Sequence, residues 1–387
     1  MLPHKNLLAL LAFGLICLYG PFPAMAAPKL VDYSARSQEG KPARIIWQLT
    51  GVGRLSSDMM SGTNGLLYLP VGSKLVAVDT GGRVVWEAPG PAGGNMGRPV
   101  FGPAGSLFLP GTSAVQEIKV NGAAGWSFSI YQNSRGSGPA PLCAGPGGLL
   151  YLPLPTALYA VDGQGRYMWA LLHWDTDDLF RSIPVKDRVM VDCTGDNRAI
   201  YAVFGRRQGG YALVAVDNDG HILWRYWLAN AKEVHLVVKE GTLYATVNPS
   251  RMDRLNRGKV YAFRPEDNGQ PAWSYSLNFD DLTGPVLSMD NTLYFSAGKR
   301  IYALNGHTGT ELWSQQLLDL NSPPAVDSNK KLIFAGTSDK RLLAINDQGR
   351  LIWDLELDGA ISRAPLVGPD GYLYVVTDRG SLYKIEG

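Results

Sequence analysis

Cysteine and histidine are scarce in this 387-residue chain, with three of the first, no two adjacent, and five of the second. No two histidines stand at metal-ligand spacing, so zinc is not expected. No Ser-His-Asp arrangement, nucleophile elbow or phosphate-cradling glycine loop is present, and the chain reads as a non-enzyme. Charge of one sign is also lacking. A formal net charge of +2 gives no argument for a nucleic-acid partner. From residue 27 onward there is no amphipathic helical stretch of useful length, which excludes helical and α/β architectures.

Long apolar runs are missing too, apart from one at the start. Leu7 to Tyr19 follows a weakly positive His4-Lys5 and precedes Ala24-Met25-Ala26, a small-x-small cleavage pattern. Residues 1–26 therefore read as an export signal cut after Ala26, with retention as a membrane anchor as the alternative. Cys17 follows the large Ile16, so lipidation is not expected. The remainder reads as a 27–42 linker and a single domain over 43–387, exported to the periplasm or to the extracellular space or cell surface.

Glycine and proline are plentiful, at 45 and 25, and 45% of residues are hydrophobic, as in a turn-rich all-β protein. Eight tryptophans recur with gaps of 39 to 55 residues: Trp47, Trp86, Trp126, Trp169, Trp224, Trp273, Trp313 and Trp353. A period near 40 marks one supersecondary unit copied many times. Each of the last seven has an aromatic upstream, such as Tyr68 before Trp86, Tyr294 before Trp313 and Phe334 before Trp353. Between them lies an apolar run such as Leu75-Val76-Ala77-Val78, then a turn such as Asp79-Thr80-Gly81-Gly82. Aspartate accepts backbone hydrogen bonds in such turns and glycine supplies positive φ. Four short strands per unit, repeated radially, predict a β-propeller.

Tyr374 opens an eighth copy that lacks its own outer strand, while Arg44-Ile45-Ile46-Trp47 is an outer strand with no unit before it. The N-terminal strand is expected to complete the C-terminal blade. The fold class is all-β: an eight-bladed propeller of four-stranded blades, closed by that strand.

The run Ala303-Leu304-Asn305-Gly306-His307-Thr308-Gly309-Thr310-Glu311-Leu312-Trp313 resembles the A-x-D/N-x-x-T-G-x-x-x-W motif of propellers of the pyrroloquinoline quinone (PQQ) dehydrogenase type. The resemblance covers roughly 43–387 and implies that each indole packs between neighbouring blades. It also implies an adjacent cysteine pair and a Glu/Asn/Asp calcium set in the enzymes of that type. Neither is found here, so PQQ and calcium are not expected as cofactors. The architecture is similar to the propeller subunit of the outer-membrane protein assembly machinery, which implies a protein-interaction scaffold. A quinone-dependent oxidoreductase, or a small-molecule binder using the central channel, is the alternative.

Cys143 and Cys193 each lie eight residues before their blade's first aromatic, Tyr151 and Tyr201, and so read as equivalent points of adjacent blades. Export permits a disulfide between them; two buried free thiols are the alternative. Asp217-Asn218-Asp219-Gly220 resembles the start of a calcium loop, but position 228 is Leu228 where a carboxylate is required, so it reads as a hairpin turn. The insertions point to a partner. Connector 171–187 and loops 204–210 and 248–258 are expected on one face of neighbouring blades. They bring Trp174, Phe180, Arg206, Arg207, Arg251, Arg254 and Arg257 together, and arginine beside aromatics is the composition of a binding hot spot. The expected partner is another envelope or extracellular protein.

Overall fold

The computed structural model describes residues 29–32, 43–91, 96–102, 105–129, 142–153, 157–172, 188–206, 210–250 and 257–387. They form eight antiparallel sheets: seven of four strands, and one of five that holds both ends of the chain. Strand order within each of the seven follows the sequence, inner to outer, so the chain is an eight-bladed propeller.

The ring closes where the sequence places it. Arg44–Thr50 pairs with Leu382–Glu386, and the outer strand of blade eight is thus supplied by the N-terminal part of the chain. An ion pair of 3.0 Å between Arg44 and Glu386 lies at the end of this ladder. One strand was not foreseen. Lys29–Asp32, inside the segment read as a linker, pairs with Arg44–Thr50 and covers the outer edge of blade eight.

In all eight blades the upstream aromatic meets the tryptophan of its own sheet. Centroid distances run from 5.1 Å for Phe108–Trp126 to 6.0 Å for Tyr244–Trp273. The eighth pair, Trp47–Tyr374 at 6.0 Å, joins residues from opposite ends of the chain. Each of eight apolar clusters draws on two neighbouring blades, so every seam is a hydrophobic core. At roughly 1.5–3 kcal/mol per fully buried large side chain, seam burial is the main term holding blade to blade.

The indoles also reach across the seams. Trp313 Nε1 donates to the Asp347 carbonyl at 2.7 Å, and Trp169 Nε1 to that of Asn218 at 2.7 Å. The seat in each case is the turn between the third and fourth strands of the next blade. Glycine is required there twice over. Gly309 has a φ of +72°, and a Cβ on it would lie 2.5 Å from the Trp273 ring. The Asp/Asn-x-x-Gly turns seen in the sequence are thus both reversals and sockets.

A β-bulge precedes the tryptophan in seven blades. In blade four, Ala215 faces Trp224 and Val216 faces Ile222, so Leu223 is the extra residue. The same slip isolates Ile46, Val85, Met168, Ala272, Leu312 and Ile352. A bulge re-aims the following side chain. It turns the indole into the seam and throws the apolar neighbour outward, which leaves Val85, Met168, Leu223, Leu312 and Ile352 each about half exposed on the rim.

Candidate functional site

Blades four and five differ from the rest. Their inner strands, Arg188–Gly195 and Ala231–Lys239, have eight and nine residues, against two or three in the other blades. The second strands lengthen with them, to Ile200–Arg206 and Thr242–Pro249. These extensions carry the ladder as far as Arg206 and Pro249, just before the second-to-third-strand loops 207–209 and 251–256. In an up-and-down blade, that loop and the connector into the inner strand leave from the same end of the sheet. The described flanks agree, since Ser250 N donates to Asn230 O and Gly258 N donates to Phe279 O, each joining a loop end of blade five to a blade connector.

Of the residues read as partner-binding, Arg257 is exposed at the end of its loop. Arg206 ends a strand by its backbone pairing with Arg188. Trp174, Phe180, Arg207, Arg251 and Arg254 lie outside the described residues, as do Asp175, Asp177 and Asp178.

The register at the channel corrects one reading. Cys143 faces Tyr151, but the residue facing Tyr201 is Thr194, and Cys193 faces Ala202. The turn after the inner strand is one residue shorter in blade four, so Cys143 and Cys193 are not equivalent. Side chains alternate along a strand, so equivalent residues would point the same way round the ring. The slip of one turns Cys193 back toward blade three. The two join as a disulfide across the seam with Cα atoms 5.8 Å apart.

The same slip hides a layer of charge. Asp192 and His235 lie two residues before Thr194 and Val237, the positions that face Tyr201 and Tyr244. Asp58 and Arg98 lie two before Met60 and Val100, the corresponding positions of blades one and two. Counting back from the aromatics misaligns these four, and the sequence gives no other sign of the layer. Bulges at Val191 and Lys232 aim the charges of blades four and five. Asp192 Oδ1 accepts from Cys193 N and Oδ2 from Leu236 N, both at 2.8 Å, so one carboxylate ties blade four to blade five. His235 Nε2 lies 3.5 Å from Glu233 Oε1.

Burial pushes the Asp192 carboxyl up to about 6, despite two backbone donors and the charges of His235 and Arg98. For His235, burial pulls downward, but the Glu233 hydrogen bond and the charges of Glu233, Asp192 and Asp58 outweigh it and leave the imidazole raised. Glu233 is lowered, first by its hydrogen bond with His235 and against its own burial. Both raised groups prefer the protonated form in the folded protein. Their stability is fully present below the unfolded pKa values, about 4 and 6.5, and is lost as pH rises through the folded ones. Relative to the wild type, we expect the melting temperature of the double variant Asp192→Asn/His235→Gln to be higher at pH 8 than at pH 5. Thermal melts of both proteins across that range check it. An equal difference at both pH values would contradict the assignment.

Asp217, Asp219 and His221 could offer ligand atoms within 4.8 Å of one another. Sister turns show why they sit together: Asp79 pairs with Arg83 and Asp162 with Arg166, four residues on, where Asp217 pairs with His221 at 3.1 Å. His221 thus stands in for an arginine that braces the turn, and Leu228 is buried. On the opposite face, a cavity of about 580 Å³ between blades two and three is lined by Glu117, Lys119, Asp162 and Arg166. It adjoins at Gly148 an apolar cavity of about 260 Å³ lined by Phe101, Phe108, Leu149 and Leu150. No helix among the described residues is long and apolar enough to cross a membrane.

No curated protein matches this chain in sequence. Residues 297–387 match the family model of PQQ repeats described as "Outer membrane protein assembly factor BamB". Matches to solved structures number 1312, so likeness of this kind narrows architecture rather than activity. Among them is the crystal structure of BamB from Moraxella catarrhalis. It is 15% identical, has a TM-score of 0.65, and covers 89% of this chain and 100% of its own. The chain is thus an eight-bladed propeller that resembles BamB in fold along most of its length and matches a model of PQQ repeats over residues 297–387.

Proposed function

We propose that this protein is an exported, non-enzymatic propeller that serves as a protein-interaction scaffold in the cell envelope. The observation that carries the reading is the asymmetry of the ring. Two of eight blades are built taller on the loop face, and the segments that follow their second strands carry Arg206, Arg207, Arg251, Arg254 and Arg257 in sequence. Loops held by a rigid scaffold are where binding residues concentrate. The likeness to an outer-membrane assembly factor and the reading of residues 1–26 as an export signal support an envelope setting. The partner is another envelope or extracellular protein that presents acidic and apolar groups.

The experiment is recovery of envelope proteins on the immobilised mature chain. A partner should be retained by the wild type and lost when Arg251, Arg254 and Arg257 become alanine with the fold intact.

A further inference from the structure

The rim of the propeller offers a second kind of site. Outer strands of propeller blades end their sheets with one backbone edge unpaired, and such an edge is a template for another strand. This chain fills one edge itself: Lys29–Asp32 lies antiparallel on Arg44–Thr50, register Lys29 to Thr50 and Asp32 to Trp47. The other seven outer strands end their sheets without such a cover among the described residues.

Three of those edges carry features that discourage pairing. Blade one has Glu87, tied to Lys74, and ends on Pro89. Blade five opens on Pro271, and blade seven carries Asp354 and Glu356. The outer strands of blades two, three and four, Ala124–Ser129, Tyr167–Leu172 and Ile222–Leu228, contain neither proline nor carboxylate, and that of blade four is the longest of the three, with seven residues. Leu223 is 49% and Trp227 40% exposed. Arg225 and Trp227 face Val214 and Ala212, and so lie on the side toward blade three. Arg225 is exposed, with no acidic partner among the described residues.

We propose that the outer strand of blade four accepts an extended segment of a partner protein as an added strand, with apolar side chains over Leu223 and Trp227 and a carboxylate against Arg225. The donor within this chain already has that character, since Leu30 and Val31 precede Asp32. Backbone hydrogen bonds supply affinity in such strand addition, and the side chains at alternate positions supply selectivity. The inference rests on the scaffold reading and adds a docking mode at the rim, separate from the loop face.

The test uses the full mature chain and a fluorescein-labelled peptide of about ten residues, alternating valine and threonine around a central aspartate. Hydrogen exchange should slow at the amides of 222–228 when the peptide is bound. Arg225→Glu should weaken binding about tenfold, and a lysine in place of the peptide's aspartate should restore it to that variant. Protection confined to Arg44–Thr50, equal affinity for wild type and Arg225→Glu, or no binding at about 1 mM would overturn the proposal. Envelope proteins still recovered through the loop arginines in that event would leave the scaffold reading standing, while their absence as well would remove both.

Discussion

Deleting residues 27–50 should lower the melting temperature by roughly 10 °C or more, or prevent folding. The deletion removes the outer strand of blade eight with Trp47, which is 4% exposed, packs on Tyr374 and donates from Nε1 to Thr80 O of blade one at 3.1 Å. Loss of a buried tryptophan alone costs about 3–5 kcal/mol. Here the seams on both sides of blade eight lose Ala43, Ile45, Ile46, Leu49 and Trp47 together. A shorter deletion that removes only 27–32 is the control. It takes away the covering strand and leaves closure intact, so it should shift the transition by a few degrees at most. An unchanged transition in the 27–50 deletion would show that the ring does not depend on this strand.

Trp313→Ala should destabilise by about 3 kcal/mol, toward the lower end of the large-to-small range because the ring is half-buried. The indole meets Tyr294 at 5.9 Å within its blade and sits on Gly349 of the next. Gly349→Ala should also destabilise, because φ is +80° and the new Cβ would lie 2.9 Å from the ring. If the two residues form one socket, the double variant will cost less than the sum of the singles. Leu312→Ala, next in sequence but 53% exposed on the bulge, should be nearly neutral. Urea midpoints of the four proteins decide it. A Trp313→Ala midpoint equal to that of wild type would contradict seam packing.

The architecture was legible because each unit repeats the same physical demands. A tryptophan must find a socket, the socket must be a glycine turn, and both recur near a 40-residue period. Closure was legible from what two half-units lacked. The bulges were not, since an extra residue in a strand leaves the apolar pattern of Arg350-Leu351-Ile352-Trp353 unchanged and shows only in pairing. The covering strand Lys29–Asp32 has four residues, too few for a periodic signal. At the channel, one residue fewer in a turn shifted the count from the aromatic. That made Cys193 look equivalent to Cys143 and hid the layer of Asp58, Arg98, Asp192 and His235. Loop lengths did mark blades four and five, since insertion length is visible in sequence while the strand extensions beneath are fixed by pairing.

The most direct measurement is quantitative recovery of envelope proteins on residues 27–387, compared with the variant carrying Arg251→Ala, Arg254→Ala and Arg257→Ala. The predicted result is a protein retained by the wild type at low ionic strength, released by salt as expected for an arginine-dependent contact, and absent from the variant at equal melting temperature. Identical recovery from both proteins, or none from either, would contradict the account of the loop face as a protein-docking surface.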